Sequence, residues 1–169
     1  QLEFINQAYR VMKKGGSLLV SALTGIGKTM SALFSGVKAL GSGTADRVFY
    51  LTAKNITGKA ATEALARITK YAPHLRAVMI CAKEIMCPYS KSKDVKMNCR
   101  YCDKTDSSTE DFGKTYISYR ERQLAALDEL LLDKDTVFTV DRIIKAAAEH
   151  NVCPYELALD LSESCEIII

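Results

Sequence analysis

Ala22-Leu23-Thr24-Gly25-Ile26-Gly27-Lys28-Thr29 constrain this chain more than any other stretch. They follow the apolar run Ser17-Leu18-Leu19-Val20 and precede the helical pattern from Met30 to Leu40, so the order predicts strand, glycine-bearing turn, helix. In the pattern G-x-x-x-x-G-K-[ST], N–H groups of the loop and helix terminus face phosphates, the Lys reaches the terminal ones and the hydroxyl holds magnesium. Ala22 stands where the first Gly is usual, and Gly25 and Gly27 supply the conformational freedom. A plain strand-to-helix turn with an exposed Lys is the competing reading. Gly-x-Gly-Lys-Thr behind a buried strand favours the phosphate cradle.

The neighbouring segments fit such a loop. Leu2, Ile5, Ala8, Tyr9 and Met12 recur at helical spacing until Gly15-Gly16. The helix after the loop, 28–40, stops at Gly41-Ser42-Gly43. Arg47 to Leu51 predicts a short strand and Thr52 to Asn55 a loop. A helix over 57–71 carries Ala60, Ala61, Ala64, Leu65 and Ile68 on one face, and Ala77 to Ile80 predicts a further strand. This alternation makes the chain α/β, with a parallel sheet and helices on both faces. Right-handed crossovers bring the loops that end the strands to one edge, which puts Thr52 and Lys54 on the edge of the phosphate loop.

After Ile80 the pattern changes. Residues 81–116 combine Cys87, Cys99 and Cys102 with Lys83, Lys91, Lys93, Lys96, Arg100 and Lys104 and a polar tract, with little apolar periodicity. Apolar burial alone does not order such a stretch. Helices follow over about 117–134 and from Thr139 or Val140 to His150, capped by Thr139 or Asp141. Cys153-Pro154 closes the second, 155–161 is a short helical piece, and Glu166 to Ile169 resumes the sheet. The expected organisation is therefore a nucleotide-binding part over 1–80, a mostly helical or irregular four-cysteine insertion over 81–155, and a return to the sheet over 156–169.

Cys87-x11-Cys99-x2-Cys102-x50-Cys153 holds one C-x-x-C pair, and both outer cysteines precede Pro. Four thiolates brought together would hold zinc tetrahedrally or an iron–sulfur cubane, and ligation would order 81–116. Scattered core thiols are the alternative, and it suits Cys81 and Cys165, which flank apolar strands. His74 and His150 read as surface or packing residues. The basic residues of 83–104, interleaved with Tyr89 and Tyr101, suit phosphate contacts and base stacking, though Glu84, Asp94 and Asp103 dilute the patch.

The net charge of +3 permits nucleic-acid binding without demanding it. No stretch reaches the roughly 20 apolar residues of a membrane span, and Gln1-Leu2-Glu3-Phe4 is unlike a signal peptide, so a cytoplasmic or, in a eukaryote, nuclear setting is expected. The absence of an initial Met and the end inside Ile167-Ile168-Ile169 suggest a piece of a longer protein.

In its order of motifs the chain resembles the iron–sulfur DNA helicases of superfamily 2, the XPD and DinG group. The resemblance runs over nearly the whole chain: the Ala-x-Thr-Gly-x-Gly-Lys-Thr loop, with Leu23 where Pro is frequent; Phe49-Tyr50-Leu51-Thr52-Ala53-Lys54; and Ala82 to Pro88, Cys99-x-x-Cys102 and Cys153-Pro154-Tyr155-Glu156. It implies a RecA-like P-loop sheet in which Ala22, Thr24, Gly25, Ile26, Gly27, Lys28 and Thr29 hold ATP, with Lys28 on the β- and γ-phosphates and Thr29 on magnesium. Gln1 takes the place of the adenine-reading Gln. Cys87, Cys99, Cys102 and Cys153 would ligate a [4Fe-4S] cluster, and Thr52, Lys54, Lys91, Lys93, Lys96 and Arg100 would contact DNA. Single-stranded DNA and DNA junctions are the implied partners. The acidic box that completes the magnesium site is expected just after Ile169, so the piece should bind ATP without splitting it. A zinc-stabilised nucleic-acid-binding module without enzymatic activity is the alternative.

Overall fold

A computed structural model describes residues 1–23, 25–53, 55–88, 110–112 and 115–169. Helix α1 (Leu2–Lys14) ends at Gly15, whose φ of 76° is left-handed. It lies on α2 (Lys28–Gly41), where Ser35 Oγ donates to the Ile5 carbonyl at 3.3 Å and Lys38 Nζ sits 4.5 Å from the centre of the Tyr9 ring. Strand β1 (Val48–Phe49), α3 (Asn55–Ile68), β2 (Ala77–Val78) and the single turn α4 (Lys83–Met86) follow. A hairpin of β3 (Glu110–Phe112) and β4 (Thr115–Ile117) pairs Glu110 with Ile117. Then come α5 (Tyr119–Leu132), β5 (Val137–Phe138), α6 (Val140–Glu149), α7 (Pro154–Ser162) and β6 (Ile167–Ile168).

Four strands form one parallel sheet in the order β1-β6-β2-β5. Each is two residues long, and the period-2 pleat sends one side chain to each face. Ala77, Val137 and Ile167 pack with Leu33 of α2 and with Ala61, Ala64 and Leu65 of α3. Val78 and Phe138 pack with Ala126 and Leu130 of α5, Ile143 and Ala147 of α6, and Leu157 and Leu161 of α7. The sheet is thus covered on both faces, as the strand–helix alternation predicts.

Local chemistry sets the helix starts. Ser118 and Glu121 form a reciprocal capping box at α5: the Ser118 hydroxyl accepts from the Glu121 N–H, and the Glu121 carboxylate accepts from the Ser118 N–H at 2.8 Å. Thr139, not Asp141, caps α6, its hydroxyl accepting from the Arg142 N–H. Pro154 occupies the first turn of α7, where no N–H is needed. Asp160 of α7 accepts from Arg120 and Gln123 of α5 at 2.9 and 2.8 Å, joining the two helices.

Two expectations are corrected. The apolar run 17–21 is not a strand: Leu19 is 98% exposed and Leu18 and Val20 are also exposed. A strand exists only through a partner, and although β1 is an edge strand whose own Phe49 is 61% exposed, the run does not pair there. The second lies between the helices expected over about 117–134 and from Thr139 or Val140 to His150, where the sequence pattern predicts no strand: β5 belongs to the main sheet, pairing Ala77 with Val137 and Val78 with Phe138. Val137-Phe138 is too short to stand out from the α6 pattern that begins two residues later.

Candidate nucleotide site and cysteine centre

The turn from 22 to 29 holds its shape through two residues that only glycine suits. Gly25 has φ 84° and Gly27 φ 80°, both left-handed. Gly27 caps α2, and its carbonyl accepts from the Ser31 N–H at 2.9 Å, so Lys28 and Thr29 form the helix's first turn. The free N–H groups of that turn carry the positive end of the helix dipole. A Cβ added at Gly27 would lie 2.6 Å from the Gln1 amide nitrogen, because Gln1 reaches over the loop and donates to the Ile26 carbonyl at 2.6 Å.

Lys28 is exposed, and its ammonium donates to the Ala22 and Leu23 carbonyls at 2.6 and 3.2 Å. The loop's cation is thereby folded back onto the loop, satisfied by groups that a phosphate would replace. Thr29 is half-buried, and its Oγ1 accepts from the Tyr50 hydroxyl at 3.3 Å. Gln1, Ala22, Ile26, Gly27, Lys28 and Thr29 are therefore gathered at one place, with Gly25 in the same turn. Thr24 lies outside the described residues. Tyr50 is a neighbour that motif reading did not single out. The available signal was alternation along β1, which puts Val48 and Tyr50 on one side and Phe49 on the other.

Thr52 follows two residues after Tyr50 and is half-buried, while Lys54, Lys91, Lys93, Lys96 and Arg100 lie outside the described residues. Beyond the carboxyl ends of β2 and β5 opens a cavity of about 460 Å³, lined by Met79, Cys81, Ile85, Lys59, Thr139 and Asp141 among others. Burial pushes the Cys81 thiol up, with Lys59 pulling the other way. Cys165 is buried among apolar groups and its thiol is pushed up to about 12 by burial, as suits a packing residue.

Two of the four cysteines, Cys87 and Cys153, lie among the described residues. Cys87 ends α4 and Cys153 caps α7, two helices in contact, and Lys83 of α4 lies over the Tyr155 ring of α7 at 6.0 Å. The prolines that follow them, Pro88 and Pro154, line one cavity of about 210 Å³. Both thiols are free of disulfides, Cys87 half-exposed and Cys153 buried. The Cys153 N–H donates to the Tyr119 hydroxyl at 3.0 Å, and burial pushes that phenol up while this bond pulls it down. Among the described residues no group of three or more metal-ligating side chains gathers; Cys99 and Cys102 lie outside them.

A family model, DEAD_2, matches residues 52–169, well over half of the chain. The chain belongs to the DEAD_2 family. This family is the N-terminal helicase domain of DinG/XPD-type helicases. It makes the fold a helicase-type, nucleic-acid-related motor domain, and it implies use of ATP and magnesium and nucleic-acid substrates. The match takes in the loop that follows β1, all six cysteines and β6 but begins after the 22–29 turn, so the DEAD_2 assignment and the loop geometry are independent observations. No curated protein matches the chain at a significant level. Among the described residues no helix is long and apolar enough to cross a membrane.

Proposed function

We propose that this DEAD_2 domain is part of an ATP-dependent DNA helicase that couples ATP hydrolysis to translocation on single-stranded DNA and duplex unwinding. The observation that carries the reading is Lys28 and Thr29 on the first turn of α2 behind two left-handed glycines, in a chain of a helicase family. Each residue then has a role. Lys28 exchanges the Ala22 and Leu23 carbonyls for the β- and γ-phosphates, the N–H groups of Gly27 to Thr29 meet the phosphate oxygens, and Thr29 ligates magnesium. Gln1, held on the loop through the Ile26 carbonyl, would read an adenine edge.

Single-stranded DNA would run along the carboxyl edge of the sheet, past Thr52 and the cavity at Lys59 and Thr139, and Lys54, Lys91, Lys93, Lys96 and Arg100 would supply further contacts. Cys87, Cys99, Cys102 and Cys153 are the residues that would hold a [4Fe-4S] cluster. Supporting it are two cysteines outside any disulfide at the ends of touching helices, with their prolines lining one small cavity. A bound cluster supplies a crosslink that orders a lobe without its own apolar core.

Lys28→Ala in the parent protein should abolish ATP turnover and unwinding, and undiminished turnover would sink the proposal. Metal analysis after anaerobic purification reads the centre: iron with acid-labile sulfide supports the cluster, whereas one zinc and no colour supports a zinc-stabilised nucleic-acid-binding module.

A further inference from the structure

We infer that Tyr50 is a positioning residue for the hydroxyl of Thr29 and so sets how tightly the loop takes magnesium together with a nucleotide. This rests on the nucleotide reading above. Tyr50 is held at three points. Its N–H donates to the Ile168 carbonyl of β6 at 2.8 Å, its ring packs against the core that contains Leu33 and Val48, and its hydroxyl donates to Thr29 Oγ1 at 3.3 Å. Close packing beneath it keeps the strand near the helix. Val48 lies against Gly36 of α2, where an added Cβ would meet Val48 Cγ1 at 3.1 Å, so β1 sits as near α2 as a glycine permits.

The chemistry follows from the inventory of a hydroxyl: one proton to donate and two lone pairs to accept with. With the phenol occupying one lone pair, a single acceptor site is left for a cation, and rotation about the Thr29 Cβ–Oγ1 bond is restrained before the ion arrives. Magnesium demands near-ideal octahedral geometry, so it gains from a ligand already oriented. Tyr50 also joins the magnesium-ligating turn to β6, because one residue bonds both.

The test is a fluorescence titration of the full chain with a fluorescent ATP analogue, in EDTA and across a magnesium series. Tyr50→Phe keeps the ring and the backbone bond and removes only the hydroxyl. It should bind the analogue in EDTA as the unsubstituted chain does, while the half-saturating magnesium concentration rises roughly threefold to tenfold, the reach of one neutral hydrogen bond. Thr29→Val, of the same shape without the oxygen, should raise it at least as far, and adding Tyr50→Phe to it should change nothing more. An unchanged magnesium response in Tyr50→Phe, or effects that add in the double variant, would overturn the inference. Nucleotide binding that ignores magnesium in the unsubstituted chain overturns this inference alone. A chain that binds no nucleotide overturns the reading of the loop as well. Should Tyr50→Phe fail to fold, Thr29→Val alone decides, since a magnesium response like that of the unsubstituted chain refutes any role for the hydroxyl.

Discussion

Leu33 and Leu19 offer the same chemical change, Leu→Ala, at opposite extremes of burial. Leu33 is 0% exposed and Leu19 98% exposed. Removing three carbons from Leu33 forfeits about 2.4 kcal/mol of transfer free energy at about 0.8 kcal/mol each, and a cavity term adds to it. Its core partners include Ala61, Ala64 and Ala77, whose side chains are too short to swing into the gap, so relaxation is small. The expected cost lies in the middle or upper part of the usual range of about 2–5 kcal/mol, a large share of a domain stability of about 5–15 kcal/mol. Leu19→Ala should change stability by less than about 0.5 kcal/mol. Urea unfolding followed by circular dichroism separates the two. With a slope of about 1–3 kcal/mol per molar, the midpoint of Leu33→Ala should fall by at least about 1 M with the slope unchanged, and that of Leu19→Ala should stay put. Equal shifts, or a Leu19→Ala cost above about 1 kcal/mol, would refute the placement of 17–21 outside the sheet.

Thr139→Ala removes the hydroxyl that caps α6 and should cost about 1 kcal/mol by the same unfolding measurement, with Thr139→Ser recovering most of it. The capping box of α5 makes a pH prediction. The Ser118 backbone N–H, and then its hydroxyl, hold the Glu121 carboxyl below its ordinary value of 4.5. A group with a depressed folded value contributes stability that is fully present above the unfolded value and is lost as pH falls through the folded one. Amide exchange at the first turn of α5 should therefore lose protection as pH drops below about 4.5, and Glu121→Gln should flatten that response. A response of equal size in Glu121→Gln would show that the carboxylate is not its source.

Local patterns were legible wherever one residue type answers one local need. Gly25 and Gly27 announced the turn at the head of α2 because left-handed φ needs that residue type. Ser118 and Thr139 likewise mark helix starts through side-chain bonds to a backbone N–H three residues on, Gly15 marks an end through its positive φ, and Pro154 a start through its missing N–H. The strands were less legible, since each contributes only two residues to the sheet and periodicity needs more. Val137-Phe138 escaped notice for that reason, and Leu18-Leu19-Val20 misled for the converse one: apolar composition signals a strand, but only a pairing partner makes one.

By itself, then, the sequence determined the alternation of helices and strands, the glycine turn at the head of α2 and the four-cysteine pattern, because each is written in neighbouring or regularly spaced residues. Tertiary structure alone decided the order β1-β6-β2-β5, which brings residues 48, 167, 77 and 137 side by side. It likewise decided that α4, which ends at Cys87, meets α7, which starts after Cys153, and that Tyr50 touches Thr29. These are contacts between distant parts of the chain, and they follow from which apolar faces pack together, which no local spacing encodes.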